Sequence, residues 1–463
     1  MKKFLLPLFV SIVAMPTFAQ EESEARTLKL YDEVVFYDGY NETVFDADLG
    51  DGILRHRNSL YAIRLTDEQM DFFGASTEMN ISIGALCDNY DRIGNINLAL
   101  VPKGRETYSF QDEDIYRSEL GRFITPFMNK NKQPDHVPYS FVVDNIGYIM
   151  HDMDLRAEYD LWIEFELFGI PYAANQQISG CADRNDVFTG TLEFVCNDEP
   201  LASNTTDVFV PIYMKKPEYD GRYNLNNYRD TATDEVGKTE RTFTFTVPED
   251  VTDGLICLIT SNHGANSGGE EYNRRDHFVY IDGDLVLTYK PGRTSCEPFR
   301  KYNTQSNGIY GLFPKKDEAW QSFSNWCPGD KIDNRIIRLG AFSAGTHTIK
   351  ISVPDAEFVG GQGDIPVSIY FQGLTEVALP DMGAISDVQF MQDVNFEVLD
   401  GVVKFSTETS VLGVELLDVE GRVLAAEWRG GLTSFDASAQ AKGVYLLRLY
   451  LEGGVIATYK FVR

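Results

Sequence analysis

Residues 160–168, Asp-Leu-Trp-Ile-Glu-Phe-Glu-Leu-Phe, alternate strictly between two faces. Leu161, Ile163, Phe165 and Leu167 fall on one side, and Trp162, Glu164, Glu166 and Phe168 on the other. A repeat of two is the side-chain period of an extended strand, whereas a helix repeats every 3.6 residues. This segment is therefore a strand with one face in a core and two carboxylates on the other. The pattern recurs in Thr242-Phe243-Thr244-Phe245-Thr246-Val247. Phe278-Val279-Tyr280-Ile281 runs into Asp282-Gly283, a two-residue hairpin signal, and then Leu285-Val286-Leu287. Long helical periodicity is missing. Many short strands parted by Gly, Asn and Asp predict an all-β chain of antiparallel sandwiches or jelly rolls.

The first residues have a different character. Lys2 and Lys3 precede an apolar run from Phe4 to Ala14, and Thr17-Phe18-Ala19 has the small residues of a cleavage site. Residues 1–19 are expected to be a secretory signal peptide. No cysteine follows the apolar run, so a lipid anchor is not expected, and no other segment approaches the length of a membrane-spanning helix. The expected location is secreted, at the outer-membrane surface or extracellular. Composition shifts suggest three domains. One spans 27–200 and ends at the polar run Ala202-Ser203-Asn204-Thr205-Thr206. A second spans 207–375, and Ala378-Leu379-Pro380-Asp381-Met382-Gly383 has linker character. A small β domain fills 384–463.

A formal charge of −29 argues against nucleic acid or an anionic membrane surface as partner. The six histidines, His56, His136, His151, His263, His277 and His347, show no paired ligand spacing, so no metal and no cofactor are expected. No Gly-x-Ser-x-Gly run points to a serine nucleophile. Six cysteines in an exported chain make disulfides plausible. Cys181 with Cys196 is a reasonable local staple, which leaves Cys87, Cys257, Cys296 and Cys327.

Three segments carry a resemblance. Cys87-Asp88-Asn89-Tyr90-Asp91-Arg92, Gly121-Arg122-Phe123-Ile124-Thr125-Pro126-Phe127 and Trp326-Cys327-Pro328-Gly329, in that order and at about that spacing, resemble the secreted bacterial peptide-N-glycosidase F family. Its members are amidases that cut N-linked glycans from asparagine. Ile259 to Ala265 resembles the family's Gly-His loop, and Glu271-Tyr272 to His277 the stretch that holds an acidic residue. The resemblance implies two eight-stranded antiparallel jelly rolls side by side, with the site at their interface. It implies Asp91 as the main acid/base and orienting group, Glu271 as the second catalytic carboxylate, and Glu166 as a holder of water or substrate. Arg92, Tyr90, Trp162, Phe168 and His263 become candidate substrate contacts, and Cys296–Cys327 an implied disulfide.

Alternatives stay open at several positions. Glu164 competes with Glu166 on one strand face, and Glu270 with Glu271. Arg92 could be a structural ion-pair partner only. Trp162 and Phe168 could stack on a sugar or pack within an interface. There are departures too: Tyr90 and Phe323 stand where the family has tryptophan and arginine.

In the last domain, Leu417-Asp418-Val419-Glu420-Gly421-Arg422-Val423-Leu424 and Lys442-Gly443-Val444-Tyr445-Leu446-Leu447-Arg448-Leu449 resemble the sorting domain of type IX secretion cargo. That implies the type IX machinery as a partner; the alternative is a generic immunoglobulin-like appendage.

Hydrolysing a glycosyl amide needs a positioned water, a base to activate it and a proton for the leaving nitrogen. Clustered carboxylates can divide these roles, because mutual repulsion spreads their pKa values. The expected activity is hydrolysis of the β-aspartylglucosaminyl amide bond in N-glycosylated proteins or glycopeptides, turning asparagine into aspartate. The rivals are a non-catalytic carbohydrate-binding jelly-roll protein and a carboxylate-pair glycoside hydrolase.

Overall fold

The structure, a computed structural model, describes residues 25–463 except 46–48, 110, 197–199, 202–206, 215–222, 228–234, 265–268, 322–324, 359–362, 376–393, 400, 408–410, 418–422, 430 and 452–454. The expected signal peptide, the polar boundary at 202–206 and the linker at 378–383 lie outside the described residues. The chain is all-β: antiparallel sheets dominate, and no described helix exceeds six residues. None is long and apolar enough to cross a membrane.

The first half is a sandwich of two sheets. One has the order Arg26–Tyr37, Asp186–Cys196, Thr77–Ala85, His136–Val142. The other has the order Lys331–Ile332, Tyr116–Ile124, Ile93–Pro102, Tyr159–Leu167, Leu60–Arg64, Ile53–Arg57. Leu161, Ile163, Phe165 and Leu167 enter the core between them, with Phe36, Phe123, Phe188 and Phe194. The opposite face of this strand is buried as well: Trp162, Glu164 and Glu166 are all shielded from solvent. Alternation thus separates apolar from polar here, but not inside from outside.

The second half repeats the architecture. Asp207–Met214, Asp364–Leu374, Val251–Thr260 and Arg335–Phe342 form one sheet, with Tyr223–Asn227 also paired to Asp364–Leu374. Glu240–Val247, Gly345–Ser352, His277–Ile281 and Asp284–Tyr289 form the other. Phe243, Phe245 and Val247 point into the core, as their spacing predicts. Asp282 and Gly283 turn the hairpin with φ of 50° and 94°, the left-handed conformation that a two-residue turn of this kind demands. Residues 394–463 form a smaller unit of three- and four-stranded sheets around Val403, Phe405, Leu416, Leu447 and Leu449.

The halves are stitched by main chain. Lys331–Ile332, from the second half, pairs with Arg122 and Phe123 of the first. Ile124 N donates to Asp330 O (2.9 Å), and Gly329 N to Ile124 O (3.0 Å). Two of the segments singled out in the sequence, 121–127 and 326–329, are therefore direct partners. Around this seam Ile124 and Tyr148 pack on Leu255, Cys257, Ile259, Trp326 and Tyr370. Arg122, 0% exposed, lies inside it. It donates to Glu119 (2.8 and 2.7 Å) in its own sheet, and to Ser261 Oγ (2.7 Å) and Pro366 O (3.0 Å) across the seam.

Cys296 and Cys327 are bridged. The expected Cys181–Cys196 pair is not; Cys181 is bridged to Cys87, with Cα atoms 5.5 Å apart. The reason is strand length. Cys196 ends the strand Asp186–Cys196, and at about 3.3 Å per residue this carries it away from Cys181, to lie beside Thr77 Oγ1 at 3.3 Å. Cys196 and Cys257 are buried free thiols.

Candidate active site

The loop 87–92 joins the strands Thr77–Ala85 and Ile93–Pro102 and is pinned at its start by the Cys87–Cys181 bridge. Asp88 organises it from within. Its carboxylate, 0% exposed, accepts from Arg92 Nε (2.7 Å) and Nη2 (3.3 Å), from Tyr90 N (2.9 Å) and from Ile170 N (2.7 Å). Thr125 closes the loop on the other side: Arg92 N donates to its hydroxyl (2.7 Å), which donates to Tyr90 O (3.1 Å). The Arg92 guanidinium lies over the Tyr90 ring, 5.3 Å from its centroid, and that ring leans on Phe127. Tyr90 stays 46% exposed.

Asp91 follows in this fixed loop. Burial pushes its carboxyl up to about 6; Arg92 pulls the other way, and Asp88 adds to the rise. A carboxyl in that range exchanges protons near neutral pH, which a general acid or base requires.

The second half supplies Glu271 from the turn that follows Gly269. Asn325, beside Trp326, clamps this turn. Its side-chain amide donates to the carbonyls of Glu270 (2.9 Å), Glu271 (2.7 Å) and Asn273 (3.2 Å). Trp326 Nε1 donates to Asn262 O (2.8 Å), so the same short segment also fixes the strand end before His263. Tyr272 connects the two halves of the site. Burial and then the charges of Glu271 and Asp91 hold its hydroxyl pKa far above the ordinary value, and it hydrogen-bonds the Glu271 side chain. Asp91 and Glu271, 180 positions apart in the numbering, thus act on one phenol.

The neighbouring carboxylates differ from those two. Glu270 is taken up by Arg275 (2.8 and 3.0 Å) and Glu357 N (3.1 Å). Glu164 accepts from Arg117, Tyr108 and Asn97. Burial alone would raise its pKa, but Arg117, His56 and these hydrogen bonds outweigh it and the net shift is downward. Glu166 lies opposite Asn95 in register, four positions along from Asp91, and Arg57 Nη2 holds its carboxylate at 2.5 Å.

His263 packs on Trp326, next to the Asn325 that fixes the Glu271 turn. Its Nε2 is 2.7 Å from Ser261 Oγ and its ring stacks on Trp326 at 5.7 Å. Phe168 meets Tyr40 edge to face at 5.2 Å, and Gly39 N donates to Gly169 O beside it (3.0 Å). Ile170, two residues on, donates to Asp88, so this aromatic pair borders the loop of Asp91. Trp162 is elsewhere. It is 3% exposed and packs against Tyr108 with Ala62, Ala99, Val101 and Ile115, roughly 13 Å along the strand from Glu166. Packing accounts for this candidate substrate contact.

Among the described residues, no group of three or more His, Cys, Asp or Glu side chains is arranged to hold a metal ion. Four residues that position the site were given no role in sequence analysis: Asp88, Arg57, Tyr272 and Asn325. Asp88 and Tyr272 stand inside singled-out segments and Asn325 adjoins one, so proximity was a signal. Arg57, far away in sequence from Glu166, gave none.

Two family models match the chain. The one for the N-terminal part of peptide-N-glycosidase F covers residues 27–181, and the one for its C-terminal part covers 227–372. Among solved structures, PNGF-II superposes with a TM-score of 0.52 at 18% identity, over 76% of this chain and 66% of that one. A peptide-N(4)-(N-acetyl-β-D-glucosaminyl) asparagine amidase superposes with a TM-score of 0.50 at 15% identity, over 77% and 98%. PNGase F, a glycosylasparaginase from Flavobacterium meningosepticum, gives 0.48 at 14% identity over the same shares. This chain therefore spans just under two thirds of PNGF-II. No curated protein sequence matches it.

Proposed function

Because the chain belongs to the peptide-N-glycosidase F family, we propose that it is an amidase acting on the β-aspartylglucosaminyl bond of N-glycosylated proteins and glycopeptides. The reading is supported by the 325–329 segment: Asn325 holds the Glu271 turn and Gly329 bonds Ile124, next to the Thr125 that closes the Asp91 loop, and both carboxylates bear on Tyr272. A water adds to the side-chain carbonyl carbon of the glycosylated asparagine. The amide bond between that carbonyl carbon and the nitrogen breaks, and the nitrogen stays on the sugar. The peptide keeps a carboxylate, and the glycan leaves with the nitrogen. Asp91, with a pKa of about 6, takes the proton of the water and returns it to the departing nitrogen. The Tyr272 hydroxyl, held protonated, donates its one proton to the Glu271 carboxylate. Glu271, fixed by that donor, is the second catalytic carboxylate, and Glu166, fixed by Arg57, holds water or a sugar hydroxyl. Arg92, Tyr90, Phe168 and His263 line the sugar's approach.

The test is incubation with a denatured high-mannose glycoprotein in heavy-oxygen water. The expected peptide carries labelled aspartate where asparagine was. An N-acetylglucosamine stub on intact asparagine would mean a glycoside hydrolase, and retained glycan with measurable binding would mean a lectin-like protein.

The proposed location is secreted, through residues 1–19 as signal peptide. Two disulfides fit an oxidising compartment. Residues 384–463 are proposed as a type IX sorting domain, and residues 394–463 have their own apolar core in support. Deleting 384–463 is expected to leave cleavage intact and abolish surface delivery.

A further inference from the structure

Arg92 is next in sequence to Asp91, yet the Asp91 carboxyl has a raised pKa. An arginine that close ordinarily draws a carboxyl pKa down by about 1–3 units. The geometry accounts for the difference. The Arg92 guanidinium forks onto Asp88 through Nε (2.7 Å) and Nη2 (3.3 Å). Asp88 is itself fixed by two main-chain amides from separate segments, Tyr90 N and Ile170 N. Its side chain is 0% exposed and that of Arg92 20%, so neither charge is spread into bulk water. Tyr90 covers the outer face of the guanidinium. Arg92 is thus held by Asp88 at its nitrogens and by Tyr90 at its ring face.

The geometry points to Asp88 as a positioning residue: it holds Arg92 in a closed, neutral pair and so keeps the guanidinium from seizing Asp91, leaving the Asp91 carboxyl to the substrate. This rests on the amidase role proposed for Asp91. The groups that bear on Asp91 are Asp88 and Arg92 from its own loop, and Tyr272, backed by Glu271, from the second half. Only the first two can be exchanged as a neutral pair. Removing the Asp88 charge alone frees Arg92 and takes away a negative neighbour, and both changes favour an ionised Asp91. Removing both charges together restores the balance.

The experiment is a carbon-13 titration of the Asp91 carboxyl in the full chain, assigned by its loss in Asp91→Asn. The wild-type midpoint is expected at about 6. In Asp88→Asn it should fall by about one pH unit or more. In Asp88→Asn/Arg92→Gln it should return to the wild-type position. An unchanged or raised midpoint in Asp88→Asn would overturn the inference, as would a double variant that stays at the single-variant value. If Asp88→Asn does not fold, the double variant decides alone, since it keeps shape and neutrality; a displaced midpoint there counts against a neutral pair. The titration needs no turnover. Failure of wild-type protein to cleave a glycopeptide would remove the amidase proposal and leave this measurement standing. In an active enzyme, the acidic limb of kcat/KM should move down with Asp88→Asn and recover in the double variant.

Discussion

The side-chain amide of Asn325 donates to the main-chain carbonyl of Glu271 at 2.7 Å. Asn325 also reaches the carbonyls of Glu270 and Asn273, so one buried side chain fixes the whole turn. The Trp326-Cys327-Pro328-Gly329 segment is thereby a scaffold. It holds the second carboxylate on one side and pairs with the first sandwich on the other. Replacing Asn325 by alanine strands three carbonyls in a buried place. The expected loss is about 2–4 kcal/mol in stability, read by denaturant unfolding, with a further fall in kcat because Glu271 loses its register.

Asp91→Asn should keep the fold and lower turnover by about 10²–10⁴-fold. Its effect on stability has a definite sign. The native pKa is raised to about 6, so the native state binds more protons than the unfolded chain between about pH 4 and 6. Stability from this group is present below that window and is lost as pH rises through it. Above pH 6 the asparagine variant should be the more stable protein by on the order of 1–2 kcal/mol, after discounting for partial exposure. Thermal unfolding of both proteins at pH 4 and pH 8 checks this; an equal difference at both would contradict it.

Tyr272→Phe removes one hydroxyl and little volume. Glu271 then loses the donor that positions it, and turnover is expected to fall by about 10²-fold, with KM nearly unchanged. A change confined to KM would place the hydroxyl in ground-state binding instead.

The Cys87–Cys181 bridge spans 94 positions and the Cys296–Cys327 bridge 31. A longer closed loop restrains the unfolded chain more, so replacing both cysteines of the first bridge by serine should cost about 4 kcal/mol. The same change in the second bridge should cost somewhat less. The first bridge also anchors the loop of Asp91, so its loss should depress kcat as well. Full activity in a folded Cys87→Ser/Cys181→Ser variant would show that Asp88 and Thr125 order the loop without the bridge.

Periodicity made the strands legible. Leu161 to Leu167 and Phe243 to Val247 enter their cores as their spacing predicts. The motif order singled out Asp91 and Glu271, the two carboxylates on which the proposed function rests. What stayed hidden depends on contacts between remote segments. Glu164 and Glu166 looked alike on one strand face, and their partners, Arg117 and Arg57, come from different strands. Cys181 lies closer in sequence to Cys196 than to Cys87, but an extended strand outruns that separation. Asp88 stood inside a recognised motif, yet its function depends on an amide donated by Ile170, which no local pattern announces.

The strand Lys331–Ile332, laid on the sheet of the first half, bears on how the chain is made. During synthesis the first sandwich emerges without that strand. The edge at Tyr116–Ile124 then stands open, and Arg122 lacks its partners Ser261 and Pro366. An open edge invites pairing with other chains. A fragment ending at residue 200 should therefore aggregate, and adding a separate 207–375 fragment during refolding should rescue it. The first half reaches its final form only after the ribosome has passed residue 332. Neither half, made alone, holds both Asp91 and Glu271, so the proposed amidase site can form only once both sandwiches are made.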